Sequence, residues 1–274
     1  MPLKDLLVHI DASKQAATRL SLAATLARRF NAHLTAIYIG DPDVIPATMA
    51  DQYAPETLDA ADTRHAVHRE AVEALFKSCV PAGEIQQQLI EERGDVLEAV
   101  TRYARHYDLA ILGQVDPDAK GVEGVLTVPD DVALHSGQPI LMVPYAGTFN
   151  NIGERVLVAW NESAQSARAV NDAMPFLARA KKVTVLAVGR TDTDEISTAG
   201  VVGHLDRHGI TAEIERLVAS ESEIGDLLLS RAADETDDMM VMGLYSHSRL
   251  RERVFGGVSR EVLRHMTVPV LMSH

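Results

Sequence analysis

Short apolar runs recur along the chain, each separated from the next by a longer stretch with helical periodicity. In the N-terminal half Leu6–Ile10, Leu34–Ile39, Gln86–Glu91, Ala110–Leu112 and Ile140–Val143 read as strands. In the C-terminal half Val156–Trp160, Val183–Val188, Ile210–Val218, Met239–Met242 and Val268–Met272 read the same way. Between the latter lie helical patterns over Ala164–Arg179 and Ser197–His208, and a third opened by the capping box Ser220-x-x-Glu223 and running to about Thr236. A fourth covers Ser259–His265. Ile210–Val218 alternates in part, and strands alternating with helices predict a parallel sheet with helices on both faces.

The two halves repeat each other. Asp108–Gly113 aligns with Asp238–Gly243, His135 with His265, and Pro139–Met142 with Pro269–Met272, all at one offset of 130. The openings Asp5–Ser13 and Glu154–Ser163 align at an offset of 150, so the first half holds 20 extra residues. They are expected around Asp41–His65, where "GDPDVIPATMADQYAPE", beginning at Gly40, reads as a loop. The turn-rich segment Pro144–Gly153 is the expected joint, giving domains over residues 1–148 and 149–274.

Composition narrows the function classes. The 274-residue chain carries a formal charge of −13, so over most of its surface it repels phosphates and is no general nucleic-acid binder. With 4% aromatic residues it lacks a stacking platform for single strands. One cysteine, Cys79, excludes an intrachain disulfide and points to a reducing, cytoplasmic setting. No apolar run approaches the roughly 20 residues that span a bilayer.

Against this acidic background "MGLYSHSRLRERVFGGVSREVLRH", Met242–His265, gathers Arg249, Arg251, Arg253, Arg260 and Arg264 around a glycine pair. In open parallel sheets ligands bind beyond the carboxyl ends of strands. Gly243 is expected to let a ligand approach the backbone, and Gly256 and Gly257 precede a helix. The amides of Gly257, Val258 and Ser259 then form a helix N-terminus suited to phosphate, with Ser259 as cap or hydroxyl donor. A solvated basic loop is the alternative reading of the same residues.

The pattern resembles the universal stress protein family in a tandem, two-domain form. Its nucleotide-binding members carry Gly-x-x-Gly, nine residues, then Gly-Ser or Gly-Thr after the fourth strand, with an Asp ending the first. The resemblance covers both halves, including the closing "HMTVPVLM". It implies two doubly wound, Rossmann-like five-stranded domains of the adenine nucleotide alpha hydrolase-like type, strand order 3-2-1-4-5, paired through their last strands. It also implies binding of ATP, with ADP and AMP as alternatives, by the C-terminal copy at Asn161, Val188, Gly243, Ser246, Gly256, Gly257, Val258 and Ser259. Three of these depart from the motif: Ser246 replaces the second glycine, Gly257 the hydroxyl residue, and Asn161 the Asp.

The first copy is an internal control. It keeps Asp11, but Asp116, Leu126, Thr127 and Pro129 stand at the positions of Ser246, Gly256, Gly257 and Ser259. A carboxylate there repels a triphosphate, so this copy is expected to be degenerate.

Other groups read as structural: His204-x-x-x-His208 and His65-x-x-His68 as helix histidines rather than metal ligands, Trp160 and Cys79 as packed side chains. No nucleophile–base pair, Gly-x-Ser-x-Gly or Walker lysine is present. The expected role is a nucleotide-dependent stress sensor, at most a slow ATP hydrolase, with an unidentified protein partner and possible self-association. A nucleotide-free interaction module is the alternative.

Overall fold

In the computed structural model the described residues are 2–40, 55–116, 125, 129–189, 197–220, 222–244 and 257–274, with the side chains of the second helix from Ala66 onward. Strands β1 (Asp5–Ile10), β2 (His33–Gly40), β3 (Gln87–Arg93), β4 (Leu109–Gly113) and β5 (Ile140–Val143) alternate with α1 (Ala16–Phe30), α2 (Pro55–Cys79), α3 (Val96–Ala104) and α4 (Pro129–Ser136). The second half repeats the order with β6 (Arg155–Trp160), α5 (Ala164–Leu177), β7 (Lys182–Gly189), α6 (Ala199–Arg207), β8 (Glu213–Val218), α7 (Ile224–Asp234), β9 (Met239–Gly243), α8 (Val258–His265) and β10 (Val270–Ser273).

All ten strands form one sheet, ordered β3-β2-β1-β4-β5-β10-β9-β6-β7-β8. Each half therefore has the order expected from its resemblance, 3-2-1-4-5. Neighbours are parallel except at the centre, where β10 and β5 pair antiparallel with Leu271 opposite Leu141. These two strands are wholly buried, and pairing them removes two apolar edges at once. Helices α1, α2, α5 and α6 cover one face of the sheet, and α3, α4, α7 and α8 the other; each core runs through both halves.

The repeated aspartates Asp108 and Asp238 clamp the strand starts. Asp108 accepts from the amides of Lys4 (2.7 Å) and Asp5 (3.0 Å), and Asp238 from those of Gly153 (2.6 Å), Glu154 (3.0 Å) and Arg155 (3.3 Å). On the first face Phe30 meets Phe176 edge-on at 5.1 Å, tying α1 to α5.

Two expectations need correcting. Residues 55–65, read as part of an inserted loop, are the first turns of α2; residues 41–54 lie outside the described residues. The capping box is only half made: the Ser220 amide and hydroxyl both donate to the Glu223 carboxylate, and α7 starts at Ile224 rather than at Ser220. The Glu223 amide donates instead to the Ser220 carbonyl, at 2.9 Å.

Candidate functional site

The repeat creates two equivalent clefts, each at the carboxyl ends of a half's first and fourth strands. In the first half Asp11 follows β1 and folds back in a local turn, accepting from the Ser13 amide at 2.9 Å and from its hydroxyl. Arg19 lies on the buried face of α1 and turns its guanidinium onto this strand end. It contacts Asp11 at 2.9 Å and donates to the His9 carbonyl at 2.6 Å. The pair is deeply buried, at 4% exposure for Arg19 and 6% for Asp11. Burial raises a carboxylate's pKa, but here Arg19, His9 and the Ser13 donors outweigh it, and Asp11 is held below the usual range.

The same guanidinium fills the space above Gly113, where an added Cβ would lie 2.2 Å from Arg19 Nη1. Gln15 closes the mouth by donating to Asp116 at 2.7 Å. What remains is a cavity of about 20 Å³, room for a single water.

In the second half Asn161 makes the same turn, accepting from the Ser163 amide at 3.2 Å and its hydroxyl at 2.7 Å. Ser163 in turn caps α5, accepting from the Ser166 amide at 3.1 Å. The next residue, Glu162, takes a left-handed backbone (φ 59°), a conformation costly for an L side chain and concentrated at functional sites. At Arg19's position on α5 stands Ala169, fully buried. Without a long side chain to hold it off, α5 closes directly onto β9: a Cβ on Gly243 would lie 2.6 Å from the Ser166 amide nitrogen and 2.7 Å from the Gln165 carbonyl carbon.

The missing side chain of Gly243 admits the start of α5. Asn161, unlike Asp11, is exposed. Val188, near the end of β7, is half-buried against the second core, and Trp160 is half-buried with its indole N–H donating to Ser197 O at 3.0 Å.

The helix that follows the fourth strand differs most between the halves. Helix α8 begins at Val258 with Gly257 as its N-cap residue and no side-chain cap bond. Its leading amides are those of Gly257 and Val258, both half-buried; the cap itself is a glycine, and the one first-turn carboxylate is Glu261. Ser259 is neither the cap nor open to solvent; it is buried at 4% exposure. Helix α4 instead starts with Pro129, which has no N–H, and carries Asp130 and Asp131 in its first turn. Ser246, Gly256, Arg249, Arg251 and Arg253, with Leu126 and Thr127 of the first half, lie outside the described residues. Arg260 is half-buried and Arg264 exposed.

The histidines behave as helix residues. His204 and His208 stack edge-on at 4.8 Å, and His135 and His265 bond to Asp131 O and Glu261 of their own helices. Among the described residues no group of three or more His, Cys, Asp or Glu is placed to hold a metal, and no helix is long and apolar enough to cross a membrane. The side chain of His65 lies outside the described residues.

Sequence reasoning passed over Arg19 and Gln114. The signal for Arg19 was an arginine between Ala16, Leu20 and Ala23 on an apolar helix face, opposite Ala169 in the repeat. For Gln114 it was a polar residue just after a buried strand, opposite Leu244.

A model of the universal stress protein family matches residues 2–144 and again residues 153–274. The universal stress protein Slr1230 of Synechocystis is similar to the chain from end to end, at 25% identity over 98% of this chain and 99% of that protein. Among solved structures, a universal stress protein from Archaeoglobus fulgidus shares the fold with a TM-score of 0.73 at 14% identity, covering 98% of this chain and 96% of that one. A candidate universal stress protein from Pseudomonas aeruginosa does so with a TM-score of 0.64 at 15% identity, covering 99% and 93%. The sequence pattern, the doubled fold and the two family matches agree: the chain belongs to the universal stress protein family, with the family's pattern present twice in tandem.

Proposed function

We propose that the C-terminal half binds an adenine nucleotide, ATP, beyond the ends of β6 and β9, and that the N-terminal half is a degenerate partner binding none. The domains are 1–148 and 149–274. The observation that carries the reading is the start of α8: a helix N-terminus without a side-chain cap, on the ligand side of a parallel sheet. Gly257 and Val258 would donate to phosphate oxygens. Asn161 stands at the strand end for the base, with Val188 beside it on the neighbouring strand. Ser246, Gly256 and the loop arginines, outside the described residues, are the further phosphate positions that the resemblance implies, and Ser259 is buried in the first turn of α8.

Nucleotide occupancy is then the signal, passed to a protein partner in a cytoplasmic stress response. Titration calorimetry with ATP tests this. One site per chain is expected. No heat at millimolar ATP would instead favour a nucleotide-free module whose basic loop docks an acidic partner. Phosphate release above buffer would favour slow hydrolysis.

A further inference from the structure

The first half's closed cleft has a use that its lack of ligand space conceals. Gln114 follows β4 and is buried at 8% exposure. Its Nε2 donates to two carbonyls of the other half, Leu263 O and Arg264 O, both at 2.9 Å. These are last-turn carbonyls of α8, groups left without partners inside a helix. The amide's orientation is fixed from its other end, since Oε1 accepts from the Tyr145 amide at 3.1 Å. The Gln114 main chain is held as well, its N–H donating to Val143 O at 2.8 Å.

On either side of Gln114 the chain is pinned by the plug. Arg19 fills the space over Gly113, and Gln15 donates to Asp116. Leu244 takes the equivalent place in the second half and has no side-chain donor to offer α4, so the strut runs one way only.

We infer that Gln114 is a positioning residue for the anion site of the other half: the plugged N-terminal half anchors the C-terminal end of α8, and this fixes the aim of that helix's N-terminal amides. The inference rests on the nucleotide site proposed above. With eight residues α8 is about 12 Å long, so a tilt at its last turn is carried to its first. Oriented donors work only when held in place.

The test compares wild type, Gln114→Leu and Gln114→Glu. Gln114→Leu removes both donors; ATP affinity is expected to fall roughly fivefold, as for one lost net hydrogen bond, and α8 amides to exchange faster in the nucleotide-free protein. Gln114→Glu keeps the shape. Its ionised carboxylate cannot donate, but a protonated one can, so its deficit relative to wild type should shrink as pH falls from about 8 to about 5.5 while that of Gln114→Leu persists. Should Gln114→Leu fail to fold, the Gln114→Glu profile decides alone. Wild-type affinity and α8 exchange retained in folded Gln114→Leu, or a Gln114→Glu deficit that ignores pH, overturns the inference. Wild type that takes up no ATP overturns the parent reading instead, and the anchor is then judged by exchange alone.

Discussion

Asp11 and Asn161 occupy the same point of the repeat and make the same turn onto a serine two residues on, yet one is buried and the other exposed. The difference is set one helical step away. Arg19 reaches back to neutralise Asp11 and fill the cleft, whereas Ala169 lets α5 settle on Gly243 and reaches nothing. A buried carboxylate needs a partner; an amide in water does not. The Asp–Arg pair of the first half and the Asn–Ala pair of the second are thus two self-consistent solutions on one scaffold. Only the second leaves the residue after its first strand exposed, and in that half the last helix starts without a side-chain cap.

The largest expected effect comes from splitting the first solution. Arg19→Ala leaves Asp11 buried without its cation and should cost about 3–5 kcal/mol, read by denaturant unfolding. Adding Asp11→Asn recreates the second half's pair and should restore part of the loss. A double variant no more stable than the single one would show that the charge is not what matters.

Next comes Gly243→Ala. Its Cβ meets backbone atoms of Gln165 and Ser166, which cannot turn aside, so a loss of about 1–3 kcal/mol is expected from overpacking. An unchanged unfolding midpoint would contradict the close approach of α5.

Acid titration gives a smaller effect with a definite sign. The Asp11 pKa is depressed in the folded state, so its stabilisation is fully present above the ordinary carboxylate pKa and lost as pH falls through the lower, folded value. The stability gap between wild type and Asp11→Asn should therefore be widest near pH 7 and close below about pH 4. A gap that stays constant would mean that the ion pair contributes nothing.

Gly257→Asp separates binding from folding, with the smallest expected change in stability. Gly257 has φ −43° and ψ 160°, which an L residue can adopt, and Asp is a favoured N-cap. Melting should stay within a few degrees of wild type. The new carboxylate would occupy the leading amides and repel phosphate, so ATP affinity should drop at least about tenfold. Undiminished ATP affinity would move the nucleotide elsewhere.

Most of the fold was legible because it depends on periodicity. The offset of 130 between Asp108–Gly113 and Asp238–Gly243, and the apolar runs that follow, are consequences of strands buried on both faces. Segment 55–65 reads as loop because "PETLDAADTRH" carries few apolar residues, and helix there is not announced by an apolar stripe. The site was legible in outline, since a glycine before a helical pattern marks a helix start. Its packing was not. Whether the space beside a glycine admits a ligand, an arginine or another helix depends on residues far along the chain, as at Gly243 and Gly113. Likewise Gln114 bonds to residues nearly 150 positions away, a separation that no local pattern records.

The most direct measurement is a crystal structure of the chain grown with ATP. The account predicts one nucleotide per chain, its phosphates within hydrogen-bond distance of the Gly257 and Val258 amides, with Arg19 still on Asp11. Nucleotide between Asp11 and Gly113 with Arg19 displaced, and none at the start of α8, would contradict it.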